Sequence, residues 1–178
     1  MGKRSAFPRV ERDLYRTWDP RALAPLLPHL GGVASFCEPC AGHGDLVAQL
    51  RGVGLDCRAA YDLSPGAEWI AARDARTLDV AALRGADAII TNPPWSRALL
   101  HTLIVRFACL APTWLLFDAD WVHTGQSAPF MPLLTRVVSV GRLRWMADTD
   151  MDGKDNCAWH LFDARLAPAV PRFFGRAG

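Results

Sequence analysis

The sequence predicts an α/β protein built on a mostly parallel sheet, and three observations carry that expectation. Short apolar runs ending in Gly, Pro, Asp or Asn alternate with segments of helical character. A loop with two glycines, 36–46, follows the first run, and the rigid sequence Asn92-Pro93-Pro94-Trp95 leaves the fourth.

Taken in order, strands are expected at 33–37, 55–61, 69–72, 86–91, 114–118, 137–145 and 157–162, seven in all. Helices are expected at 20–30, 45–51 and 97–110, the last with Leu99, Leu100, Leu103, Ile104 and Phe107 at helical spacing as a core stripe. A short irregular helix over 126–134 must accommodate Pro129 and Pro132. The last two strands read as an antiparallel hairpin appended to the parallel part. The termini, 1–13 and 165–178, lack periodicity, carry several arginines and read as loose arms that can meet phosphates or simply face solvent.

The 178 residues, 51% of them hydrophobic, suit one domain, 1–178. Twenty Lys and Arg against eighteen Asp and Glu leave a formal charge of +2, so any polyanion must be met locally. The longest uncharged stretch, 22–37, is broken by Pro25, Pro28, Gly31 and Gly32 and is too short to span a bilayer. No apolar run follows the basic residues of the N-terminus, so export is not expected. Five cysteines, an odd number, fit reduced thiols in a cytoplasmic setting.

The loop Glu38-Pro39-Cys40-Ala41-Gly42-His43-Gly44-Asp45 lies where doubly wound sheets bind nucleosides. Its two carboxylates repel phosphate and welcome a nucleoside that carries positive charge, and S-adenosylmethionine has both a sulfonium and an ammonium group. Asp62 ends the second strand, where a carboxylate accepts ribose hydroxyls, and Asp74 follows the third, placed to accept from an adenine amine. The plainer alternative for each is a solvated strand end or a helix cap, and it competes more strongly at Asp74 than at Asp62.

In Asn92-Pro93-Pro94-Trp95 the prolines stiffen the backbone and remove two N–H donors. The Asn92 side-chain oxygen and the Pro93 carbonyl then accept both N–H bonds of a planar amine and turn its lone pair toward a methyl donor. Trp95 would stack on the ring that bears the amine. The plainer alternative is a rigid strand-to-helix turn with a core tryptophan.

These two motifs, in this order and about 50 residues apart, resemble those of class I S-adenosylmethionine-dependent amino-methyltransferases, most closely small DNA adenine-N6 methyltransferases of phages and other mobile elements. The resemblance covers most of the chain. It implies a Rossmann-like class I methyltransferase fold with helices on both faces of the sheet. It further implies that Ala41, Gly42 and Gly44, in the loop with Glu38 and Pro39, contact the methionine part of the cofactor, that Asp62 holds the ribose and that Asp74 holds the adenine. Asn92, Pro93, Pro94 and Trp95 match the catalytic tetrapeptide, and Asn92 also borders the cofactor. Tyr15 and Thr17, with Pro20, resemble a segment that closes over the cofactor. Two features depart from the pattern: the tetrapeptide more often ends in Tyr or Phe, and no target-recognition domain is evident.

Trp121 and His123, just beyond the fifth strand, are candidate substrate-pocket residues, as are Lys154 and Asn156 before the last strand. Each also suits an ordinary strand exit or hairpin turn. The run 148–153 copies half of a calcium loop, but Trp159 stands at its twelfth position, and Cys37 with Cys40 lacks a second ligand pair, so no metal site is expected.

The expected activity is methyl transfer to an exocyclic amine, foremost adenine N6 in DNA, single- or double-stranded, with a targeting partner protein possible and no membrane. A duplex base would have to be extruded to react. Glutamine amides of proteins and guanine amines of RNA are alternative acceptors, and a cofactor-binding module or partner subunit with little activity of its own is the alternative from another class.

Overall fold

The computed structural model describes residues 15–146 and 150–176. Eight strands form one sheet: β1 (Ser35–Glu38), β2 (Asp56–Asp62), β3 (Ala71–Ala72), β4 (Ala88–Thr91), β5 (Thr113–Asp118), β6 (Leu134–Gly141), β7 (Cys157–Phe162) and β8 (Arg172–Phe174). Their order is β3-β2-β1-β4-β5-β7-β6-β8. The strands β3 to β5 are mutually parallel, β7 runs antiparallel between β5 and β6, and β8 pairs parallel to the outside of β6. The expected hairpin is therefore present, with its second strand inserted between its first and the parallel part.

Neighbouring residues of each central strand point to opposite faces, as the strand period requires. Phe36, Ile90 and Leu116 face a core closed by α1 (Asp45–Gly52) and the segment 22–30. Cys37, Ile89 and Leu115 face a second core closed by α2 (Arg97–Ala108) and the loop after β3. Helical structure thus covers both faces. The stripe Leu100, Leu103, Ile104 and Phe107 is buried as expected, whereas Leu99 is only half-buried.

Several elements differ from expectation for local reasons. The segment 20–30 is two 3-10 turns, Pro20–Ala22 and Leu27–His29, because Pro25 and Pro28 withhold the N–H groups a continuous helix needs. Gly125–Leu133 is 3-10 for the same reason, with Pro129 and Pro132 inside it. Strand β6 stops at Gly141, whose φ of +95° turns the chain away before Trp145. The third strand shrinks to two residues because Trp69 leaves the sheet and lies on the glycine loop. Of the two arms, 1–13 is outside the described residues; residues 164–174 hold a 3-10 turn and the eighth strand, where Phe174 packs on His29 with ring centroids 4.5 Å apart. No described helix is long and apolar enough to cross a membrane.

Candidate active site

The parallel strands β1, β2 and β4 end on one edge of the sheet, and their exits meet. The glycine loop leaves β1 through Pro39 to Gly44, and two of its bonds tie it to the end of β2: Ala41 N donates to the Tyr61 carbonyl and Gly42 N to Asp62 Oδ2, both at 2.8 Å. Asp62 Oδ1 accepts from Ser64 N at 2.8 Å, so the carboxylate joins the loop to the turn that follows β2. Gly44 has φ of +86°, and a Cβ there would run into the Trp69 ring, so both backbone geometry and space require glycine.

A cavity of about 550 Å³ opens at this edge, walled by Glu38, Ala41, Gly42, Asp62, Asn92 and Pro94, with Tyr15, Arg16 and Thr17 on one side. A second, of about 480 Å³, shares Cys40, Asp62, Leu63, Pro94, Ser96 and Leu99 with it and extends to Pro39 and Asp74. Together they form one trough running from the glycine loop to the end of β3.

Glu38 is the most unusual group in it. The residue is 2% exposed and its Oε2 has no hydrogen-bond partner. Burial, then the charges of Asp62 and Asp45, push its carboxyl well above the usual range, and a backbone bond from Val47 offsets this only in part. Asp45, by contrast, is met by Arg16, whose Nε and Nη2 donate to its two oxygens at 2.7 Å each. Of the two loop carboxylates that were to repel phosphate, one is thus already neutralised by a cation from the N-terminal segment.

Asn92 is held from two sides. Its Nδ2 donates to Thr17 Oγ1 at 3.0 Å and more weakly to the Tyr15 carbonyl at 3.5 Å, while its Oδ1 accepts from Trp95 Nε1 at 3.0 Å. Thr17 is in turn fixed to α1, since Gln49 Nε2 donates to its carbonyl at 2.6 Å. Pro93 is buried and Pro94 lies on the cavity wall. Trp95 meets the Trp145 ring edge-on, centroids 5.6 Å apart, and Trp145 packs on Tyr15 at 5.9 Å.

Other expected site residues lie elsewhere or are engaged. Asp74 lines the second cavity, but it caps its own 3-10 turn through Arg76 N, and both its oxygens bond the Arg76 guanidinium, which holds its carboxyl below the usual range. Trp121 is a correction: it is fully buried in the α2-side core, donates to His101 Nε2 at 3.0 Å and packs against Phe117 and Phe162. Its position after a strand end suggested a pocket wall, yet the 3-10 turn Ala119–His123 rotates it inward. His123, Lys154 and Asn156 are exposed and outside both cavities, and the Asn156 carbonyl accepts from Ala119 N. In the calcium-like run, Asp148 lies outside the described residues, Asp152 pairs with Arg21 at 2.6 Å, and no described cluster of three or more metal-ligating groups exists.

Sequence reasoning did not assign Leu63, Ser96, Leu99 and Cys40 to the trough, or Trp145 to the neighbourhood of Asn92. From the sequence Leu99 belongs to the core stripe of the helix and Trp145 to the end of a strand. The periodicity of α2 marks its apolar face without showing that one edge of that face meets a cavity.

No protein-family model matches the sequence, and no curated protein matches it by sequence. Solved structures do match by shape. A protein from Pyrococcus horikoshii, provisionally described as an RNA methyltransferase, aligns with TM-score 0.61 at 13% identity over 94% of each chain. A Listeria monocytogenes protein, provisionally described as a class I S-adenosylmethionine-dependent methyltransferase, gives 0.58 at 10% identity over 95% of this chain and 68% of that one. The 1,6-didemethyltoxoflavin-N1-methyltransferase of Burkholderia thailandensis, with 1,6-didemethyltoxoflavin and S-adenosylhomocysteine bound, gives 0.50 at 14% identity over 90% and 80%. The chain has the Rossmann-like fold of class I S-adenosylmethionine-dependent methyltransferases.

Proposed function

We propose that the protein is an S-adenosylmethionine-dependent N-methyltransferase acting on an exocyclic amine, with adenine N6 in DNA the favoured acceptor. One observation carries the reading: Asn92, on the exit of β4, shares a cavity wall with the buried Glu38 and with Asp62. The residues fit the cofactor. Glu38 Oε2 is a buried carboxylate oxygen without a partner, which a cationic ligand would satisfy. Asp62 spends one lone pair of each oxygen on the backbone and keeps the others for ribose hydroxyls. Gly42 and Gly44, both at positive φ, let the loop backbone approach a ligand closely. Asp74 reaches the adenine end on exchanging part of its Arg76 contact.

When bound, S-adenosylmethionine supplies an electrophilic methyl group on a sulfonium. Asn92 Oδ1 and the Pro93 carbonyl accept the two N–H bonds of the acceptor amine and hold its lone pair in line with that methyl. An asparagine cannot take a proton at neutral pH, so the amine proton leaves to water after transfer, when the nitrogen is cationic and acidic. Tyr15 and Thr17 close one side of the cavity and limit solvent entry.

A single domain of 1–178, targeted by a partner protein and working in the cytoplasm, completes this reading. Trp95 and Trp145 pack on each other outside the cavity, and the Tyr15 ring on its wall favours a planar base over a glutamine amide. The test is incubation with methyl-labelled cofactor and unmethylated single- or double-stranded DNA, with RNA and protein extract alongside, followed by digestion. Label in N6-methyladenine from DNA supports the proposal. Label in guanine or glutamine reassigns the acceptor, and cofactor binding without transfer to any of them makes the chain a binding module.

A further inference from the structure

The contact between Trp95 and Asn92 is made by the edge of the indole, not its face. The indole Nε1 is a donor only, and the Tyr15 carbonyl on the other side of Asn92 is an acceptor only. Turning the Asn92 amide over would set its NH2 against the indole N–H and its oxygen against a carbonyl. The surrounding groups therefore admit one orientation, with Oδ1 toward Trp95 and Nδ2 toward Thr17 and Tyr15. The amide oxygen has two lone pairs, of which the indole takes one, and Asn92 itself lines the cavity. The indole is itself braced edge-on against Trp145.

Resting on the reading that Asn92 receives the acceptor amine, we infer that Trp95 is a positioning residue that fixes the orientation of Asn92 through its indole N–H, separately from any stacking on the acceptor ring. Phenylalanine or tyrosine at this position offers a ring face but no N–H on that edge. With either, only the Thr17 and Tyr15 contacts would orient the amide, and Thr17 Oγ1, which both donates and accepts, does not distinguish the two orientations.

The test replaces Trp95 with β-(3-benzothienyl)alanine, which keeps the bicyclic shape and lacks the N–H, and compares it with Trp95→Phe. The direct readout is NMR of the Asn92 side-chain amide in the full chain, assigned by its loss in Asn92→Ala. The inference expects this amide pair to shift and exchange faster in both variants. Unchanged resonances in the benzothienyl protein overturn it. With an adenine-containing single-stranded oligonucleotide as acceptor, kcat should fall about tenfold in both variants, while KM for the oligonucleotide and Kd for the cofactor stay within about twofold. An unchanged kcat with raised KM would instead mean that Trp95 acts through its face. Should the unmodified protein methylate no adenine, the functional proposal fails, and the NMR comparison still decides the orienting role.

Discussion

On the proposed reading Asn92 bears the most specific chemical demand in the molecule, because its oxygen would present a lone pair to a neutral amine while its nitrogen is kept away. The bonds to Trp95 and Thr17 meet that demand. Asn92→Ala is expected to lower single-turnover methyl transfer by at least about 100-fold, the usual scale for removing one aligned polar group, with cofactor affinity by calorimetry within about twofold. Parallel loss of both would give Asn92 a cofactor role instead. His160 shows the opposite use of a polar side chain. It is fully buried, stacks on Phe117 at 3.9 Å, leaves both ring nitrogens without partners, and is pushed down by burial to about 3. The unfolded chain binds a proton near pH 6.5 and the folded one does not until about pH 3, so stability falls as pH drops through that window. His160→Phe should flatten this fall, read as urea midpoints between pH 7 and 4; an unchanged slope would contradict the assignment.

At the scale of elements, the β6–β7 loop and the N-terminal segment behave as one unit beside the site. Asp19, buried, accepts from Arg144 N at 2.9 Å and from the Arg21 guanidinium, which also reaches Asp152. Burial works against its charge, and these bonds outweigh it, holding its carboxyl below the usual range. Asp19→Ala should cost about 2 kcal/mol of stability and raise proteolytic cleavage within 141–156; equal cleavage would show that the loop is held by other contacts. Trp121→Ala, which empties a core position, should cost about 3–5 kcal/mol in denaturant titration without altering acceptor KM once folded. The sequence pattern located most of these elements, since strand cores such as 88–91 and the stripe of α2 announce themselves by period. It missed what depends on distant partners: the eighth strand forms because β6 offers an open edge, and the ring of Trp69 leaves the sheet because Gly44 leaves room beneath it. The trough that Glu38, Asp62 and Asn92 share was legible where a carboxylate ends a strand or an amide follows one. Trp121 was misplaced because a strand exit gives no sign of which way the following turn rotates, and Leu99 because a helical stripe does not show where its edge meets a cavity.

At the scale of the whole molecule, two cores on opposite faces hold a sheet whose carboxyl edge gathers the glycine loop, Asp62 and Asn92 into one trough. With a formal charge of +2 there is little overall field to draw in a polyanion, so the charge of the trough itself selects the ligand. Arg16 cancels Asp45, and the Glu38 carboxyl, raised by burial, gains its charge as a cationic ligand arrives, so on the proposed reading Asp62 and Glu38 together favour a cation. The most direct test is a calorimetric comparison, near pH 7.5, of S-adenosylmethionine with ATP, two adenosine ligands of opposite charge at the far end. One S-adenosylmethionine should bind per chain, weakened at least about tenfold by Glu38→Ala, with no binding of ATP at the same concentrations. ATP binding as tight as S-adenosylmethionine, or no binding of S-adenosylmethionine at all, would contradict the proposed reading.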